Sequence, residues 1–526
     1  VRELVLLSRP QSSAPDEFEF TKLLAEGMKQ LGLSVKIEVM PWDKMSDVVW
    51  FQRDKWDFTG WQMVGRPERS DPDEMTYNLF HSSTAEKGFN FVGWVNPEYD
   101  KIAEEQRSET DPAKRAVLIK KAQSILSDDP PYVWIVHPKI VNAFNQKVWD
   151  PSTVVEAKGL GIKNFWTFVQ AVPVSDKKDM VLNTEDNFKS INPLYISGST
   201  DSWITDLVWD RLMRIDVNGL PQPFAAEKVE WKDPTTVLVT LRQGMKWHDG
   251  KPVTVEDVIF SFKAPMDKMA PMYKPFVSNI ASIDKVGDNQ VQFKLSKPSA
   301  AFLTSSLAKI NLIPKHIWEP AFKDLEAKGL NAEKYQEKTP IGSGPFRFVQ
   351  WKQGEEVVLE ANAAHFTPPK MKRWIIRVVS NQEAALGMLQ SGEINFLSTY
   401  NGDPALLADK VKSNPNLKMV AAIDLGSRFV GLNNRLAPFK DKAFRQALQY
   451  VINRQAIVDM IYKGYAVPAS AIISPALDFW HNGDLDKKYS FDPGKAKEIL
   501  KQAGYEWDAQ GHLLYPKGQK ETLGGK

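Results

Sequence analysis

Seven histidines, at positions 81, 137, 248, 316, 365, 481 and 512, are the side chains that could hold a metal or move a proton near neutral pH. No two fall within five residues of each other, and no His-Glu-x-x-His pattern sets a pair on one helical face. Cysteine is absent, which removes thiol nucleophiles, thiolate-bound zinc, iron–sulfur clusters and disulfide scaffolds together. No Gly-x-Ser-x-Gly elbow exists. Gly342-Ser343-Gly344-Pro345 imitates a phosphate loop, but Pro345 blocks the helix that would present N–H donors, and no Lys-Ser/Thr pair follows. A tight crossing or hinge suits it better. Asp484-Leu485-Asp486 with Asp492 imitates a calcium loop, yet Tyr489 and Lys495 stand where Gly and Glu are needed. The residues therefore predict no enzyme, no cofactor and no metal site.

What remains is aromatic. The chain has 17 tryptophans, a dense supply against ordinary composition, and most belong in cores. Two stand beside turn residues and polar groups. Trp61 follows Gly60, and Trp203 ends Gly198-Ser199-Thr200-Asp201-Ser202-Trp203, where a helix should begin. Stacking surfaces with neighbouring hydrogen-bonding groups suit a cleft for a sugar ring, a peptide or an opine-like compound.

The elements that must position these residues alternate along the chain. Residues 17–31 carry Leu23, Leu24, Met28 and Leu31 at helical spacing, and 35–40 then alternates as a strand. Asp111 and Pro112 open a helix over 112–126, and 132–136 reads as a buried strand. In the middle third, 236–241 reads as one strand of a hairpin, with Asp249-Gly250 as a turn and 257–262 as a short helix. Strands at 375–379 and 393–397 flank a helix at 382–389. Residues 442–462 read as one amphipathic helix and 491–503 as another, closed by Gly504. Helix–strand alternation predicts an α/β protein.

The 526 residues exceed one ordinary core. A formal charge of +2 argues against a protein built to grip nucleic acid. No apolar run is long enough for a membrane span, and the opening VRELVLLSRP lacks the pattern of a signal peptide.

Four long blocks together resemble the extracellular solute-binding proteins of ABC importers, in the family with oligopeptide-, dipeptide- and nickel-binding members. They are Ala226-Glu227 through Lys246-Trp247-His248-Asp249-Gly250 to Asp257-Val258; residues 340–359; Gly431-Leu432-Asn433-Asn434 through Arg445-Gln446-Ala447-Leu448 to Asn453-Arg454; and Asn96-Pro97-Glu98-Tyr99-Asp100 through Ala122-Gln123-Ser124-Ile125-Leu126. The last of these closes the family's pattern but comes first here. Residues 179–216 resemble the family's usual beginning and 162–166 its end. The order is that of a circular permutant, with old termini joined near 172–178, and it fits an engineered rearrangement or a reordering of the written sequence better than an evolved one.

The resemblance implies a two-lobed periplasmic-binding-protein (type II) fold with a hinge and an extra subdomain. Lobe one would be 137–218 and 341–424, the subdomain 219–340, and lobe two 425–526 with 1–136. The implied function is the substrate-binding component of an importer that closes on a small polar organic solute, peptide-like, opine-like or sugar-like. Its partners would be the ligand and ABC permease subunits, without nucleic acid. It would be a periplasmic or extracellular monomer, held at the membrane through the transporter. An enzyme or a chaperone-like peptide binder on the same scaffold is the alternative.

In the family's peptide binders an aspartate after a Gly-Trp pair holds the ligand ammonium. Here Gly60-Trp61 leads to Met63 and Arg66, with no acid before Glu68. That favours an anionic or hydroxylated solute over a plain peptide. The expected ligand-binding residues are Trp61, Met63, Arg66, Ser199, Asp201, Trp203, Arg428 and Asn433.

Overall fold

The run Leu4–Ser8 is buried along nearly its whole length, as a strand covered on both faces must be. The computed structural model describes residues 1–195 and 199–518. It divides into two units, Val1–Ile140 with Ile423–Lys526, and Val141–Ala422.

In the first unit Val35–Val39 and Phe58–Met63 run parallel to Leu4–Ser8 on its two sides. Ser427–Leu432 then pairs antiparallel with Phe58–Met63, and the early part of Tyr132–Asn145 antiparallel with Ser427–Leu432. Helix Pro15–Lys29 buries Phe20, Leu24 and Met28 in the core that holds Leu4, Leu6, Phe58 and Val430. Each such side chain contributes about 1.5–3 kcal/mol on burial. The approach needs Gly60, because a Cβ there would come 2.9 Å from Glu17 and Thr21 side-chain carbons of that helix.

In the second unit Asp179–Thr184 lies parallel to Arg373–Val378 on one side and to Phe396–Leu397 on the other. The hairpin Phe346–Lys352 and Glu356–Ala361 extends this sheet. Its core gathers Leu182, Phe168, Trp209, Trp374 and Phe396. A separate antiparallel sheet, Ile280–Gly287, Gln290–Leu295, Thr236–Leu241 and Ala226–Asp233, has its own core with Val258 and Phe262 of helix Val255–Met266. That helix outgrows the expected 257–262 because Thr254 and Asp257 form a reciprocal capping box at its start.

Gly342-Ser343-Gly344-Pro345 is the tight crossing. A Cβ on Gly342 would meet the Val208 carbonyl oxygen at 1.9 Å, and one on Gly344 the Leu207 oxygen at 2.4 Å. His248 clamps it: Nδ1 accepts from Gly342 N–H at 3.2 Å while Nε2–H donates to the Gly344 carbonyl at 3.0 Å. Burial keeps this imidazole neutral, lowering it to about 4.

The expected helix over 442–462 is two, Lys442–Leu448 and Arg454–Met460. Asn453 starts the second by accepting from Ala456 N–H, and Arg454 donates to the Gln449 carbonyl and side chain across the break. Local capping overrides the continuous apolar periodicity. Residues 172–178 form a mostly exposed link between helix Phe165–Gln170 and strand Asp179–Thr184.

Candidate functional site

Parallel strands send their carboxyl ends to one edge of a sheet, where ligands of open α/β proteins bind. Each unit has such an edge, and each carries a tryptophan that is not fully packed.

In the first unit the chain leaves Val35–Val39 through Pro41 into helix Trp42–Phe51. Trp42 is 46% exposed, whereas Trp61, with its ring centroid 4.8 Å away, is only 5% exposed. Trp61 also packs on Trp50 and Phe91. Arg9 follows strand Leu4–Ser8 and sets its guanidinium 5.4 Å from the Trp42 ring. It is fixed there by Glu17, whose Oε2 accepts from Arg9 Nε at 2.9 Å and Nη2 at 2.7 Å. Met63 is buried at the end of its strand, and Arg66 is exposed on the loop beyond.

An acid does reach this edge, from a distant part of the sequence. Asp424 lies just before Ser427–Leu432, the strand antiparallel to Phe58–Met63, and packs so closely on Gly65 that a Cβ there would contact its Oδ1. Burial raises the Asp424 carboxyl above its ordinary value, although the Gly426 backbone hydrogen bond and Arg428 pull the other way.

Two residues expected at the site are spent on structure. Arg428 donates from Nε to Asp16 Oδ2 at 3.1 Å, and Tyr462 donates to the same oxygen at 2.7 Å. Burial would raise the Asp16 carboxyl, but these partners hold it below its ordinary value. Asn433 is fully buried and donates to the carbonyls of Arg53 and Trp56, each at 2.7 Å. An amide saturated by backbone has little left for a solute.

In the second unit Asn183 ties the strand ends together, donating to the Thr399 carbonyl at 2.8 Å and accepting from Ser398 N–H at 2.9 Å. Helix Ser199–Val208 is joined to them through Thr200 Oγ1, 3.3 Å from Thr184 Oγ1. Asp201 is buried and accepts from Lys189 N–H at 3.1 Å. The Ser199 side chain lies outside the described residues. Trp203 is half-buried, edge-on to Phe168 at 6.3 Å.

Lys163, which the sequence reading did not single out, stands over Trp203 with Nζ 4.4 Å from the ring centroid and donates to Thr399 Oγ1 at 3.1 Å. Its loop is set by Asn164, which caps the next helix at Thr167 N–H and donates to the Val155 and Gly161 carbonyls. Burial lowers the Lys163 ammonium to about 8.

One buried constellation superficially suggests catalysis. Ser343 Oγ donates to Asp210 Oδ2 at 2.9 Å, and His365 Nε2 also meets Asp210, at 3.0 Å. The hydroxyl faces the carboxylate, so no imidazole is placed to take its proton, and all three residues are buried. No cluster of three potential metal ligands exists among the described residues, and none of their helices is long and apolar enough to cross a membrane. A cavity of about 340 Å³, lined by Ile191, Glu337, Phe348 and Trp351 among others, includes none of the expected ligand residues.

The sequence model of bacterial extracellular solute-binding proteins, family 5 (middle region), matches residues 221–523, more than half of the chain. Oligopeptide-binding protein AppA of Bacillus subtilis (strain 168) is 31% identical over 350 residues, 65% of this chain and 62% of that protein. The dipeptide-binding protein of Escherichia coli (strain K12) is 29% identical over 351 residues, 62% of this chain and 64% of the relative. The chain thus spans less than two thirds of the length of these curated relatives. The solved structure of AppA from Bacillus subtilis in complex with a nonapeptide aligns with a TM-score of 0.47 and 30% identity, over 65% of this chain and 66% of the other.

Proposed function

Because the chain belongs to the bacterial extracellular solute-binding proteins of family 5, we propose that it is the substrate-binding component of an ABC importer. It captures a small polar organic solute outside the cytoplasm and hands it to permease subunits in the membrane. The family is one of binding proteins rather than enzymes. The observation that carries the reading is the exposed Trp42 face at the strand ends of the first unit, with Arg9 and Asp424 on the same edge. Aromatic surface beside fixed charge orients a solute without a reacting group.

Asp424 bears on the ligand. The stretch after Gly60-Trp61 has no acid before Glu68, which speaks against plain peptides, but the fold brings Asp424 against Gly65 just past the end of the same strand. The relatives named for oligopeptides and dipeptides agree with a peptide or peptide-like solute whose ammonium meets Asp424. A thermal-shift panel of short peptides, opines and oligosaccharides tests this, because a ligand of the native state alone raises Tm. We expect one class, peptides first, to raise it saturably. Consumption of the stabilising compound would replace the importer reading with an enzyme.

We also infer that the block order is a rotation of the family's. The match to only about two thirds of both this chain and its relatives supports it, as does the exposed link at 172–178. A chain rotated to start in that link, with residues 526 and 1 joined, should fold with unchanged circular dichroism and ligand response. Failure to fold would count against the rotation.

A further inference from the structure

We propose that Lys163, with Trp203 and Thr399, forms a subsite for a carboxylate group of the bound solute, so that the imported compound is an organic anion at that end. The inference rests on the solute-binding reading of the second unit's strand edge and adds the charge class of the ligand.

Position comes first. Thr399 follows Phe396–Leu397, and Asn183, which holds the Thr399 backbone, sits at the end of parallel strand Asp179–Thr184. Lys163 therefore presents its ammonium where the carboxyl ends of two parallel strands converge. Charge balance comes second. No carboxylate among the described residues lies within ion-pair distance of Lys163, and burial alone accounts for its lowered basicity. Among the described residues other buried cations have either a carboxylate, as Arg428 has Asp16, Arg115 has Asp71 and Arg9 has Glu17, or several carbonyl acceptors, as Arg454 has those of Trp134 and Gln449, whereas the one hydrogen bond of Lys163 goes to a hydroxyl. A partly desolvated ammonium kept without an anion is destabilising unless something supplies one.

Valence comes third. Of three N–H donors, one goes to the Thr399 hydroxyl and one side of the ammonium faces the Trp203 ring. The unused donor calls for a charged acceptor, since a charge-assisted hydrogen bond outweighs one to a neutral carbonyl. The Trp203 plane would then carry the carbon skeleton attached to the carboxylate. A phosphate dianion would demand more donors than one ammonium and one hydroxyl offer.

The test uses the full chain labelled with ¹³C and ¹⁵N at lysine side chains, with Lys163 assigned by its loss in Lys163→Met. Its titration midpoint is followed by NMR in sodium succinate, in neutral succinamide, and in sodium chloride of equal ionic strength. Succinate should raise the midpoint while succinamide and chloride leave it in place. Lys163→Met should bind succinate about tenfold or more weakly, and Lys163→Arg should retain part of the affinity. A midpoint unmoved by succinate, or moved equally by chloride, overturns the subsite. Failure of the importer reading is separable. If succinate shifts Lys163 while no compound of the peptide, opine and oligosaccharide panel raises Tm, the importer reading falls and the carboxylate subsite stands. If a neutral solute binds and succinate does nothing, the subsite falls and importer function stands.

Discussion

Trp61 and Trp42 lie ring to ring, and their different exposure assigns them different work. Trp61→Ala removes a packed ring and should cost about 3–5 kcal/mol in chemical denaturation. Trp42→Ala should leave stability nearly unchanged while weakening the solute. Equal stability loss in both variants would remove Trp42 from the ligand wall. Asp424→Asn should weaken an ammonium-bearing peptide by roughly tenfold or more and leave a neutral sugar unaffected in calorimetry. Lys163 makes a prediction of opposite sign for stability. Its folded-state value, about 8, lies below the ordinary lysine value of 10.5, so the folded protein binds fewer protons between those limits. Stability therefore rises as pH climbs through that window. Lys163→Met should raise Tm at pH 7, with the advantage shrinking between pH 8 and 10.5. A Tm lowered at pH 7 would contradict the reading of Lys163 as an unmatched charge.

Elements were legible where local chemistry and fold agree. Asp111-Pro112 opens helix Pro112–Asp128 with the expected cap, and Gly504 follows helix Pro493–Gln502 at a φ of +89°. The break at 449–453 was not legible, because the apolar spacing continues across it and the decisive bonds of Arg454 reach back to Gln449. The glycine crossing was legible by elimination, since Pro345 ruled out a phosphate loop. The candidate site was the least readable part. Trp203 stood out beside turn residues, but Lys163 joins it from 40 positions away and Asp424 joins Gly65 from the far end of the chain. Nothing local marks Lys163 as lacking a carboxylate, and nothing local marks Arg428 as already paired. Gly342→Ala should destabilise by at least about 1–3 kcal/mol, because its neighbour is a backbone carbonyl that cannot swing aside. Wild-type stability in that variant would refute the close approach.

At the scale of the molecule, two buried histidines set the acid limit. Burial lowers both His137, beside the Gly426 carbonyl, and His248, at the glycine crossing, to about 4. Unfolded histidine has an ordinary value of 6.5, so the unfolded state binds more protons between pH 6.5 and 4 and stability falls as pH drops through that range. Protonating His248 would also turn Nδ1–H against the Gly342 N–H that it now accepts. A urea midpoint flat across this window would contradict both assignments.

Whether the protein holds a solute and releases it unchanged can be read by native mass spectrometry of the purified protein. The expected result is a one-to-one complex with a small organic molecule, displaced intact by an excess of the compound that raises Tm. A chain that carries and accepts no small molecule from the peptide, opine and sugar panel, or one that returns its ligand chemically altered, would contradict it.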